Sequence, residues 1–97
     1  MRDRQQYDLA FKLIRESVAQ WDPMGLIGGG APPDEWDHEV ARLLAGLRGA
    51  RSTDDVTAAV AAVFCDTLGA SGPDAASCAQ FGRELHARLA AAGLLVA

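Results

Sequence analysis

Five carboxylates fall close together at Asp22, Asp34, Glu35, Asp37 and Glu39, with His38 among them and no Lys or Arg between residues 22 and 39. Two kinds of chemistry suit such a group. Carboxylates with a histidine can hold a metal, and Glu35-x-x-His38 matches half of the pattern found in carboxylate metal centres. A dense anionic edge can instead steer a basic protein partner. The metal reading lacks its second half, because Glu84 and His86 are spaced wrongly and no other such pair occurs. On a helical wheel His38 lies opposite Trp36, Val40 and Leu43, on a solvent side, where Asp34 can accept its hydrogen bond. A third use of these acids is local: helix starts collect them to satisfy open N–H groups and the dipole.

Other candidate chemistry is thinner. Cys65, Cys78, His38 and His86 match no zinc-ligand spacing, and Cys-x-x-Cys is absent. Both cysteines fall on faces that read as buried, so they are expected to be small core residues with reduced thiols. Ser71 lies in Gly-Ala-Ser-Gly, which is not a nucleophile elbow. Gly28-Gly29-Gly30 lacks the phosphate-loop lysine and a preceding strand, and the acids at Asp34 and Glu35 would repel phosphate. Trp21 and Trp36 flank the glycines and are expected to clamp the two ends of that connection against the core.

Charge is distributed unevenly. The net charge of −4 divides into +1 over residues 1–21, −5 over 22–39 and zero over 40–97. No basic stripe exists to displace counterions from a nucleic acid, and an anionic membrane would repel the acidic segment. A basic protein surface would attract it. With 49% hydrophobic and 23% charged residues in 97, the chain is neither disordered nor fibrous. No stretch reaches the roughly 20 apolar residues of a membrane span. The opening Met1-Arg2-Asp3-Arg4 lacks a signal peptide's apolar run, so a cytoplasmic setting is expected. Eight Arg to one Lys suggest a GC-rich bacterial source.

The elements that must position these residues read as an all-α, four-helix domain over residues 1–97, with helices over about 3–20, 34–48, 53–68 and 73–92. Tyr7, Phe11, Ile14 and Val18 make the first stripe, extended by Ala10 and Trp21 and widened by Leu9 and Leu13. Trp21-Asp22-Pro23-Met24-Gly25 stops it with turn chemistry: Asp first, Pro second, Gly fourth. A long, ordered Gly/Pro-rich loop follows to Pro33, longer than most helix–helix connections. Asp34 is the expected cap of the second helix, whose stripe is Trp36, Val40, Leu43, Leu44 and Leu47, with Gly49 at its end. Ser52 with Asp55 caps the third, with Val56, Val60, Val63 and Phe64 on one face and Ala58, Ala61, Ala62 and Cys65 on the other. Pro73 is expected in the first turn of the fourth, whose stripe is Cys78, Phe81, Leu85 and Leu89. Gly82 falls on that stripe and predicts close helix approach. Gly93 stops the helix.

The run Trp21-Asp22-Pro23-Met24-Gly25, followed by Gly30-Ala31-Pro32-Pro33-Asp34-Glu35-Trp36-Asp37-His38-Glu39, resembles a family of small helical bacterial proteins with no assigned activity. The family signature runs W-D-P-hydrophobic-G, then G-x-P-x-D-E-Y-D-x-E; Trp36 stands where the family shows Tyr. The later Val63-Phe64 … Leu68-Gly69 resembles it weakly. The resemblance implies the helical fold. Small acidic helical proteins also include immunity proteins that neutralise bacterial toxins, an analogy of class alone.

Together these features point to a non-enzymatic, cofactor-free module. Asp22, Asp34, Glu35, Asp37, His38 and Glu39 would bind a basic protein partner such as a toxin. Trp21, Pro23, Gly25, Pro33 and Trp36 would shape the loop. The alternatives are a metal-dependent enzyme or metal-binding protein using Asp34 to Glu39, and an oligomeric scaffold using the Ala-rich back of the third helix.

Overall fold

The computed structural model describes residues 4–22, 29–30, 35–66 and 72–94. They form α1 (Arg4–Trp21), α2 (Asp37–Gly46), α3 (Thr53–Val60) continued by a π-helical turn (Ala61–Cys65), and α4 (Ala75–Ala91), with no strand among the described residues. The all-α expectation holds. Pro23, Gly25, Pro33, Asp34 and Gly69 lie outside the described residues, as does most of the Gly/Pro-rich connection.

The predicted stripes build one core. Ile14 and Val18 of α1, Val40 and Leu43 of α2, Val56 and Val60 of α3, Phe64, and Leu85 and Leu89 of α4 are all buried. The α1 stripe is rotated from its expected position. Ala10, Ile14, Ser17 and Val18 face inward, whereas Tyr7 and Leu9 are 44% and 54% exposed. Tyr7 leans on Phe11 of its own helix, with ring centroids 6.4 Å apart.

Helix ends follow local chemistry. The Ser52 hydroxyl accepts the Asp55 amide at 3.2 Å at the start of α3. Asp74 caps α4 by accepting the Ser77 amide at 2.8 Å, so Pro73 precedes the cap instead of occupying the first turn. Pro has no amide to offer the helix, and its fixed φ suits the residue leading into a cap equally well. At the other end, Gly93 (φ +71°) donates to the Ala90 carbonyl, and Leu94 donates to that of Leu89. This 5→2 and 6→1 pair is a Schellman closure, and it tucks Leu94 onto the core. The second helix is shorter than its pattern, starting at Asp37 and ending at Gly46 before a turn over residues 47–49.

α3 and α4 approach closely. A Cβ built on Gly82 would lie 2.8 Å from the Thr57 Cα, so only a residue without a side chain fits there. Cys65 and Cys78 are joined by a disulfide, which corrects the expectation of reduced thiols. The amide of Asp66 bonds back to the Ala61 carbonyl, five residues earlier, and this wider turn places Cys65 beside the first turns of α4. Cys78 remains a core residue, 1% exposed.

Candidate docking edge

The start of α2 is held from the inside by Trp36. This residue sits just before the helix with φ −96° and ψ 8°, and its carbonyl accepts the Val40 amide at 2.8 Å. Its ring is 4% exposed and meets the edge of Phe64 at a centroid distance of 5.7 Å. Trp21, at the end of α1, meets the same Phe64 edge-on at 5.2 Å and stacks on Phe81 at 4.2 Å with planes 8° apart. Both ends of the connection between α1 and α2 are thus pinned around one phenyl ring, as their flanking positions in the sequence suggested. The Trp36 Nε1–H is buried without a hydrogen-bond partner among the described residues.

Among the described residues no side chain caps α2, and Asp34, its expected cap, lies outside them. Asp37, the first residue of the helix, turns toward α1. Its Oδ1 accepts from Arg15 Nε and its Oδ2 from Arg15 Nη2, each at 2.9 Å. This two-pronged pair fixes the planes of both groups and ties α1 to α2. Arg15 reads from sequence as one of several charges on the outer face of the first helix, and nothing in its spacing marks this role.

The remaining candidate residues divide as follows. Glu35 and His38 are exposed and Glu39 is half-buried, and none of the three has a partner among the described residues. Glu39 is in the first turn of α2, and Glu35 lies in the turn that leads into it. Asp22 is half-buried with φ +46°, and its amide donates to the Val18 carbonyl at 2.7 Å as the chain leaves α1. Asp34 lies outside the described residues. Among the described residues no three His, Cys, Asp or Glu side chains gather as a metal site. The His86 Nδ1 lies 3.2 Å from the Thr53 hydroxyl and links α4 to the start of α3.

The acids at the other helix starts behave differently. The Arg51 amide, bonded to the Asp55 carboxylate at 3.0 Å, holds that group below the usual carboxylate range. The Ser77 amide does the same for Asp74, helped by the Ser77 hydroxyl. These carboxylates are occupied by backbone N–H groups, which favour the charged form. No family model matches the chain, and neither a curated protein nor a solved structure does. No helix among the described residues is long and apolar enough to cross a membrane.

Proposed function

We propose that this chain is a non-enzymatic protein-binding module whose docking edge is the acidic start of α2, with Glu35 and Glu39 as its outward charges. The observation that carries the reading is the division of labour just described. Among the described residues neither of these two acids accepts a backbone amide, unlike Asp55 and Asp74. The edge is also rigid, because Trp36 anchors it on Phe64 and Asp37 anchors it on Arg15. Fixed surface acids speed association with a basic surface and impose register on it. Asp22, Asp34 and His38 extend the same edge in the sequence. The most concrete form is a bacterial immunity-type inhibitor that covers a basic toxin surface, an analogy with other small acidic helical proteins. The Cys65–Cys78 bond weighs against a cytoplasmic setting, since a reducing cytosol opens such bonds.

The test uses the product of the reading frame adjacent to this gene as the binding probe. Glu35→Gln with Glu39→Gln should slow association at low salt and flatten its salt dependence. Stability should change by no more than about 0.5 kcal/mol, as for ordinary surface sites. Unchanged association, or no binding of that product, would count against the proposal.

A further inference from the structure

The bond between Cys65 and Cys78 has two unequal ends. Cys78 is 1% exposed, whereas Cys65, the last residue of the π-helical turn, is only partly buried against the core. An incoming thiolate therefore reaches the Cys65 sulfur and not its partner, and access decides which sulfur is attacked. Each sulfur also has a place when the bond is open. The Cys65 Sγ lies 3.4 Å from the Pro73 carbonyl oxygen and 3.6 Å from that of Asp74, so as a thiol it donates to acceptors already in position. Cys78 sits among the apolar residues of the core, where a thiol packs as a small hydrophobe. That core draws side chains from all four helices, so the chain has packing to hold it together without the bond. The sequence contains two cysteines, and closure has a single intramolecular product.

The bond also has something to control. Cys65 directly follows Phe64, and Cys78 stands close to one helical turn before Phe81. It ties together the two segments that carry these rings. Trp21 stacks on Phe81 at 4.2 Å and meets Phe64 at 5.2 Å, and Trp36 meets Phe64 at 5.7 Å. Opening the bond removes the covalent tie between the segments and leaves the ring contacts to packing alone.

We propose that Cys65–Cys78 is a reversible thiol–disulfide latch, opened at Cys65 by a dithiol reductant, whose closure sets how firmly Phe64 and Phe81 hold the two indoles. One thiolate of the reductant bonds to the Cys65 sulfur as the protein disulfide breaks, and Cys78 leaves with the electron pair and takes up a proton. The second thiolate then attacks the reductant's own sulfur in the mixed disulfide, and Cys65 leaves and is protonated. The protein gains two electrons and two protons, and the reductant departs as its disulfide. The latch goes beyond the acidic edge and does not depend on it.

The test starts from protein oxidised with glutathione disulfide. Millimolar dithiothreitol, without denaturant, should open the bond within minutes. The opened protein should keep its helical circular dichroism, melt roughly 10–20 °C lower, and exchange the buried Trp36 indole N–H about tenfold faster. Two variants read the point of entry. Cys78→Ala should take up glutathione on Cys65 from glutathione disulfide, whereas Cys65→Ala should leave Cys78 unmodified. Resistance to dithiothreitol until denaturant is added, loss of helical signal on opening, unchanged exchange at Trp36, or equal glutathione uptake by the two variants would each overturn the latch.

Discussion

At the start of α4, Asp74 accepts a backbone amide at 2.8 Å; at the start of α2, Asp37 crosses to another helix and grips Arg15 at 2.9 Å. Asp74 is the N-cap residue of α4, whereas Asp37 is the first helical residue of α2. The difference lies in what precedes them. Asp74 follows Pro73 in extended conformation (φ −79°, ψ 173°), which aims its carboxylate at the amide three residues on. Asp37 follows Trp36, whose ring is committed to Phe64 and whose backbone is already turned. An aromatic anchor occupies the N-cap position of α2, and Asp37 after it pairs with Arg15. A run of acids at a helix start is therefore not one feature. Its meaning depends on which residue occupies the position before the first turn.

The α3–α4 contact is tighter than the packing of α2 against α3, and substitutions should separate the two. The largest effect belongs to Gly82→Ala, whose new methyl would meet the Thr57 backbone. A loss of about 1–3 kcal/mol is expected from overpacking, read as a lowered urea midpoint. The matched control is Gly46→Ala in α2, where the new Cβ meets only the Ala59 Cβ at 3.6 Å. That change should stabilise by about 0.5–1 kcal/mol through helix propensity. If both variants behave alike, the two sides are equally tolerant and the comparison fails.

A smaller effect is expected from acid. Asp55 and Asp74 have carboxyls held below their usual value in the folded chain. Their contribution is therefore complete above the unfolded value of about pH 4 and is lost as pH falls through the folded one. Denaturation midpoints measured between pH 6 and pH 2 should decline at the acid end. Asp74→Asn, which keeps an acceptor that does not titrate, should flatten that decline. A decline as steep as in the unsubstituted protein would show that amide capping at Asp74 is not its source.

The smallest effect is at the Arg15–Asp37 pair. Both partners are partly exposed, at 42% and 35%, so a double-mutant cycle with Arg15→Gln and Asp37→Asn should return a coupling of about 0.5–1 kcal/mol. A coupling near zero would mean that the pair positions nothing, and Trp36 alone would then hold the edge.

Much of this fold was legible in the sequence because it rests on local rules. The stripes of α2, α3 and α4, the Ser52 cap, the Gly93 stop and the close approach at Gly82 all follow from residue type and periodicity. What was missed depends on partners distant in the chain. Tyr7 fits the first stripe by spacing, yet burial requires a neighbouring helix over that turn. Cys65 and Cys78 sit 13 residues apart, and their bond depends on a wider helical turn that no pattern marks. Arg88 donates to the Ser17 hydroxyl, 71 residues earlier, and each reads in isolation as an ordinary helix residue. The candidate edge was legible as a charge imbalance over residues 22–39. Its internal division was not, because the role of Asp37 is set by Arg15, 22 residues earlier.

The shared phenyl ring has one practical corollary. Both indoles of the protein lean on Phe64, so its ultraviolet emission arises from a single neighbourhood and not from two independent reporters. Events that loosen that spot should register in both chromophores at once. Replacing either indole with Phe would tell an observer which end of the connection gave way first.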